Sequence, residues 1–400
     1  MGMEIQGRAT SAVVFAGELE ATAERQIRAF LDHPAFEGLK VRIMPDVHAG
    51  AGAVIGFTSN LGPRIIPNVI GVDIGCGVAS VCLGDATLDR ADLPAFDQAL
   101  RRTVPSGFEV RKRPLDRDAL GRLFNDLGPQ PRWRDCDAYL EDLAEACRRT
   151  GQDGQRVLRS IGTLGGGNHF VELDRSRASG LAWLTVHSGS RNFGLRIARH
   201  HQDAAVRACG RQGGLEYLEG DAAQAYVRDM QVAQVLALLN RRAMLAELLV
   251  HLPARTRSGL QGQPGNGWVE SVHNYIDFGD RVVRKGAIRA HRDEAVVIPW
   301  NMRDGIVLGL GLGNDAWNRS APHGAGRRMG RNEAKRTLRV ADFVAQMRAA
   351  GVWSSCVDAE TLDEAPDAYK PAAAVEAQLA DTVQVLDRLA PLYNFKAGAE

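Results

Sequence analysis

Apolar positions recur along this chain with two different periods. Residues 18 to 32 place Leu19, Ala23, Ile27 and Phe30 or Leu31 at helical spacing, with Pro34 just beyond, and predict a helix. Further helices are predicted over 92–101, 116–127 and 135–149, each opening on an aspartate near its N-cap. Asp221 to Leu252 runs without glycine or proline and sets Tyr226, Met230, Ala233, Ala237, Met244 and Leu248 on a broad apolar stripe, which predicts one long scaffold helix. A helix from about Leu195, and helices over 332–350 and 371–389, complete that set. Short apolar runs behave differently. Val41 to Met44, Val69 to Val72, Val78 to Leu83, Leu181 to Val186, 295–299 and 305–312 read as strands, and Val282 to Ile288 reads as a strand bent at its basic centre. Pro45 to His48 reads as a turn, Phe57 to Pro67 as a loop and Gly259 to Gly267 as another. Strands and helices mixed in this way permit an α+β fold.

Bulk properties narrow the class. Four hundred residues allow two domains or one large one, and 45% hydrophobic with 24% charged residues is ordinary for a globular protein. The formal net charge of +1 conceals basic islands at Arg111 to Arg113, Arg281 to Arg292 and Arg327 to Arg339, followed by an acid-rich tail after Val357. Such islands on a near-neutral chain suit a polyanion held at a defined site, or merely solvated faces. The Arg111 to Arg113 island is expected to touch the substrate. Six cysteines form no CxxC pair, which argues against a zinc ribbon, and no apolar run is long enough for a membrane span. Free thiols and the lack of a signal-like start predict a reducing, cytoplasmic setting.

The chemistry gathers in a few glycine-rich stretches. In Gly71-Val72-Asp73-Ile74-Gly75-Cys76-Gly77, a hard carboxylate and a soft thiol stand three residues apart with little bulk between them. Alone, this pattern is equally a tight turn with a buried cysteine. Gly165-Gly166-Gly167-Asn168-His169 is a poor strand or helix interior and suits close approach of backbone to a ligand, or a glycine hairpin with a bonded histidine. His187 ends an apolar strand and leads into Ser188-Gly189-Ser190-Arg191, the pattern of an active-site loop. His273 sits beside asparagine and an aromatic residue. His323, among small residues and followed by Arg327 and Arg328, has the setting of a phosphate-handling nucleophile. Asp46 and His48 read as turn and capping residues, and the adjacent His200 and His201 as surface residues. Candidate ligands spread from 73 to 323 must converge in one folded unit.

Taken in order, Gly71 to Gly77, Gly165 to Phe170, His187 to Arg191, Val283-Arg284-Lys285-Gly286-Ala287 and His323-Gly324-Ala325-Gly326-Arg327 resemble the motifs of the RtcB family of RNA-splicing and repair ligases, from about Met44 to Lys396. The resemblance implies an α+β fold, one large domain over residues 1–400 with mixed β-sheets and surrounding helices. It implies joining of RNA 3′-phosphate or 2′,3′-cyclic phosphate ends to 5′-hydroxyl ends, with GTP as co-substrate and two manganese ions. By the same resemblance Asp73, Cys76, His169, His187 and His273 would hold the metals, Cys76 bridging. His323 would be the guanylylated nucleophile. Asn168, Phe170, Glu172, Ser320, Gly324, Ala325, Gly326, Arg327, Tyr369 and Lys396 would meet the guanine nucleotide. Arg327 or Arg191 would neutralise charge at phosphorus. Two departures stand out: Trp300 where the family commonly has glycine, and Ala397-Gly398-Ala399-Glu400 in place of a chain end at Lys-Gly, which bears on Lys396. A paralogue serving one damaged RNA, or a metal-dependent RNA-end phosphoesterase without ligation, are the alternatives.

Overall fold

Two sheets and one long helix position everything that follows. The computed structural model describes residues 2–86, 88–253 and 267–398. The larger sheet has seven strands in the order Ala295–Pro299, Ile306–Gly311, Val383–Lys396, Phe170–Ser176, Ala182–Ser188, Gly77–Gly84 and Trp268–Val272, each antiparallel to its neighbour. The smaller has six: Met3–Gln6, Ser11–Val14, Val41–His48, Ile55–Asn60, Val282–Lys285 and Asn274–Asp277. A two-stranded ribbon, Ala287–Arg289 with Ser320–Pro322, continues from it. With helices packed around these sheets, the fold is α+β.

The helix Gly220–His251 packs along the larger sheet and buries residues on most of its circumference. Two of its polar residues, Asn240 and Arg241, are fully buried. Asn240 accepts from the backbone N–H groups of Gly162 and Thr163 and donates to Ser188 Oγ and the Gly189 carbonyl. Arg241 donates to the carbonyls of Gly75 (2.7 Å) and Ser188 (2.8 Å) and pairs with Glu270. The scaffold helix therefore ties together three of the glycine-rich stretches. Hydrogen bonds to charged groups are worth about 1.5–3 kcal/mol each.

Several local expectations change. Val69 to Val72 is not a strand: Pro67–Ile70 is a helical turn, since Pro67 suits a first helical position and Gly71 ends it at φ 98°. The expected turn at Pro45 to His48 lies inside Val41–His48, where the register shift against Ile55–Asn60 absorbs it. The expected loop from Phe57 begins as strand Ile55–Asn60. Residues 332–350 form two helices, Arg331–Thr337 and Val340–Ala349. The largest correction is 371–389. Only Ala372–Glu376 is α-helical, Leu379–Asp381 is a single 3-10 turn, and Val383–Lys396 is a strand of the larger sheet. Its alternation of Val383, Val385, Leu389, Tyr393 and Phe395 has the strand period, and Pro391 is accommodated at a register shift. His201 is buried against Asp229 (2.7 Å), not on the surface. The Gly259 to Gly267 loop lies outside the described residues apart from Gly267, and Ala399 and Glu400 also lie outside them.

Candidate metal centre and adjoining cavity

Antiparallel pairing places four chemical groups at one end of the larger sheet. Cys76 immediately precedes Gly77–Gly84, whose start pairs with the ends of both Ala182–Ser188 and Trp268–Val272. His187 lies at the end of the first of these neighbours, and His273 just past the end of the second. Phe170 pairs with His187, so His169 falls beside them. Asp73 reaches the cluster from the loop before Cys76. A side chain at Gly189 would collide with the Asp73 carboxylate, so glycine is required for that approach.

Within the cluster, Cys76 Sγ lies 3.2 Å from His187 Nε2 and 3.5 Å from His169 Nε2. His169 Nε2 is 2.9 Å from Asp73 Oδ2, and His187 Nε2 is 3.3 Å from His273 Nε2. The far nitrogens set the tautomers. His169 Nδ1 faces the Leu164 carbonyl at 2.9 Å, and His187 Nδ1 faces the Asn168 carbonyl at 3.1 Å. Each Nδ1 must donate, so each Nε2 points inward, as a lone pair when the ring is neutral and, at His169, as a donor to Asp73 when it carries a proton. Burial, then neighbouring cationic groups, hold His187 and His273 well below the usual histidine range. Burial would raise the Asp73 carboxyl, but its bond to His169 and nearby positive charge outweigh it, to about 2. Burial, then Asp73, push the Cys76 thiol well up. Imidazole nitrogens, a carboxylate and a sulfur, all of them metal-ligand atoms, converge here on one point. The donor set therefore fits a metal, with Cys76, His169 and His187 as the tightest group among the described residues.

A cavity of about 510 Å³ opens over this cluster. His323 stands at its edge, with its ring centroid 4.8 Å from that of His273. Its Nδ1 is 2.6 Å from Asp46 Oδ2, and its backbone N–H donates to the same oxygen at 3.2 Å. Asp46 is fully buried. In the neutral ring this pair puts the proton on Nδ1 and leaves the Nε2 lone pair free. Gly326, at φ 71°, permits this arrangement, because a side chain there would strike the Asp46 backbone.

Asn168, Phe170, Glu172, Gly324, Ala325, Gly326, Arg327, Tyr369 and Lys396 all line the same cavity. Ser320 does not. It is buried beside it, accepting from Arg284 Nε (2.8 Å) and donating to the Asn318 carbonyl. Lys396 donates to Glu364 (2.7 Å), which also receives Tyr369 OH, Arg327 and Arg331. Burial would raise the Glu364 carboxyl, but Lys396, Arg331 and Arg327 hold it down to about 2. Glu172 is pushed up to about 7 by burial, despite its bonds to Asp174 and Asn394. Trp300 is buried in the cavity wall. Arg191 lines a different cavity, on the far side of Asp73, Asn168 and His169. Arg111 pairs with Glu247 at 3.5 Å.

Sequence reasoning passed over Asp46, Glu364, Asn240 and Arg241. A countercharge was foreseeable for Glu364, since an acidic run, Asp363-Glu364, follows the basic island at Arg327 to Arg339. No local signal marks Asp46 or the two helix residues.

The family model described as tRNA-splicing ligase RtcB matches residues 26–397. The RNA-splicing ligase RtcB of Escherichia coli K12 is 32% identical over 391 residues, covering 92% of each chain. The tRNA-splicing ligase RtcB of Aeropyrum pernix is 28% identical, covering 86% of this chain and 84% of its own. The RNA-splicing ligase RtcB of Mycobacterium tuberculosis is 29% identical, covering 82% and 89%. A match of this extent, spanning every glycine-rich stretch that builds the cluster and its cavity, shows that the chain belongs to the RtcB family of RNA-splicing ligases.

Proposed function

We propose that this chain is a GTP- and manganese-dependent RNA ligase that joins 3′-phosphate or 2′,3′-cyclic phosphate ends to 5′-hydroxyl ends through a guanylylated His323. The observation that carries this reading is the Asp46–His323 pair at 2.6 Å, whose histidine lines the same cavity as Asp73, Cys76, His187 and His273. With its proton on the Asp46 side, His323 offers Nε2 to the α-phosphorus of GTP, and pyrophosphate leaves. The guanylyl group passes to an RNA 3′-phosphate, a cyclic phosphate having first been opened by water. The 5′-hydroxyl then attacks the activated phosphate and releases GMP. Asp73, Cys76, His169, His187 and His273 are the residues that would hold the ions. Bound there, the metal supplies charge neutralisation at phosphorus. Asn168, Phe170, Glu172, Tyr369 and Lys396 would hold the nucleotide beside His323, while Ser320, buried and bonded to Arg284 away from the lining, would not touch it.

The test is covalent labelling with α-labelled GTP and manganese, paired with ligation of 5′-hydroxyl RNA to RNA ending in a 2′,3′-cyclic phosphate, with and without each cofactor. Label should survive denaturation in the parent and vanish in His323→Ala. Label persisting in that variant, or ligation that ignores GTP, overturns the proposal. Hydrolysis of the cyclic phosphate without label or ligation would instead identify a phosphoesterase.

A further inference from the structure

A second cavity, of about 500 Å³, meets the metal candidates from the opposite side. It shares Asp73 and Asn168 with the first cavity and includes His169, so the two chambers are separated by one wall of site residues. Its composition differs from that of the first. Arg156, Arg191 and Arg196 line it, and so does Phe108, which is 74% exposed. Val72, another exposed apolar residue, lines it as well. An aromatic ring left this open to water gains nothing for folding, where burial is the stabilising term.

The ring is exposed but its backbone is held. Ser106 bridges to Gly165, and the Pro105 carbonyl accepts from Leu164 N–H at 2.9 Å. Arg111 N–H donates to the Arg159 carbonyl at 3.0 Å. Two of the cavity's arginines complete the tether: Arg156 donates to the Phe108 carbonyl and Arg191 to the Gly107 carbonyl, each at 3.0 Å. Arg191 does so from a left-handed conformation, φ 57°, at the start of its helix. Phe108 is thus an exposed aromatic side chain on a tethered backbone, lining with Arg156 and Arg191 the cavity that also carries Asp73 and His169. Of the three acidic residues in the lining, Asp153 is turned to cap its own helix, Asp73 belongs to the metal cluster, and Glu109 follows Phe108 in the chain, so the three arginines face one acid not otherwise engaged in a helix cap or the cluster.

A flat apolar face beside cations is the combination that holds single-stranded nucleic acid, the bases stacking while the phosphates meet the charges. We infer that Phe108 is the stacking platform for a nucleobase at an RNA end, and that this end reaches the metal cluster through the second cavity while the guanine nucleotide occupies the first. The inference rests on the RNA-ligase reading above and adds a positioning residue to it. Every base has a π face, so Phe108 fixes the terminal nucleotide without reading its identity.

The experiment measures binding of an internally labelled single-stranded RNA, with 5′-hydroxyl and 3′-phosphate ends, by fluorescence anisotropy without GTP. Phe108→Ala and Phe108→Leu should weaken binding about 5- to 150-fold, the range of one lost base–aromatic stack, and Phe108→Tyr should restore it. An abasic nucleotide at the stacked end should weaken the parent by a similar factor and cost Phe108→Ala little more. Abasic substitution at the 5′ and at the 3′ end separately shows which end stacks. Coupling at either end supports the inference. Fully additive losses at both ends overturn it, as does Phe108→Ala binding as tightly as the parent in a protein that ligates RNA. A parent that neither binds nor ligates this RNA overturns the ligase reading, and the inference with it. Because the side chain is exposed, these variants keep the fold, which circular dichroism checks.

Discussion

The Asp46→Asn substitution tests the site most directly. Asp46 is fully buried and holds His323 through Nδ1 at 2.6 Å and through the backbone N–H at 3.2 Å. Its other oxygen, Oδ1, has no hydrogen-bond partner among the described residues, so the histidine is the main consumer of its charge. Asparagine keeps the volume and can still accept at one oxygen. It removes the negative charge, and its amide, if turned, donates to Nδ1 and forces the proton onto Nε2. Losing the charge-assisted bond costs about 1.5–3 kcal/mol, which at 1.36 kcal/mol per decade is roughly 10- to 150-fold in rate. Wrong-tautomer loss can reach about 10⁴-fold in catalytic triads, where aspartate holds histidine in the same way. The assay is the rate of GMP labelling against GTP concentration. We expect the limiting rate to fall by at least about tenfold, with the half-saturating GTP concentration little changed, because Asp46 does not line the nucleotide cavity. A folded Asp46→Asn protein that labels at the parent rate would refute the view that Asp46 sets the reactive form of His323.

Two other perturbations address metal and stability. Cys76→Ser replaces the soft donor at the centre of the cluster, so manganese retained after dialysis, read by elemental mass spectrometry, should reflect at least about tenfold weaker binding; full occupancy would show that the sulfur is not a ligand. Glu364→Gln removes the carboxylate shared by Lys396, Arg327 and Arg331. The Glu364 carboxyl is depressed from 4.5 to about 2 on folding, so its contribution is present above about pH 4.5 and is lost as pH falls toward 2. Denaturant titration should show a stability gap between parent and variant on the order of 3 kcal/mol at pH 7, narrowing below pH 4.5; a gap independent of pH would assign the loss to packing instead.

Periodicity was a sound guide wherever one element buries one face by itself. The helices at Ala21–Leu31, Cys136–Arg149 and Gly220–His251, and the strands at Gly77–Gly84 and Ala182–Ser188, follow their sequence patterns to within a few residues. It misled at 383–389, where charged residues alternating with apolar ones were read with the helical period, although the segment belongs to a strand central in a sheet. The reason is that propensity is weak and tertiary pairing overrides it.

The chemical groups themselves were legible in the chain. Aspartate, cysteine and two histidines stood in or beside glycine-rich stretches, His273 stood beside asparagine and tyrosine, and motif order alone pointed to a family that the relatives then showed. What the chain could not display was which groups meet. Asp46 and His323 are 277 positions apart, and Glu364 and Lys396 belong to different elements. Arg241 is buried beneath two loops that local spacing never links to it. Spacing along a chain reports which residues share a face of one helix or strand. Strand order, register and the closing of loops against a helix decide what crosses between elements, and here they set both the tautomer of His323 and the wall between the two cavities.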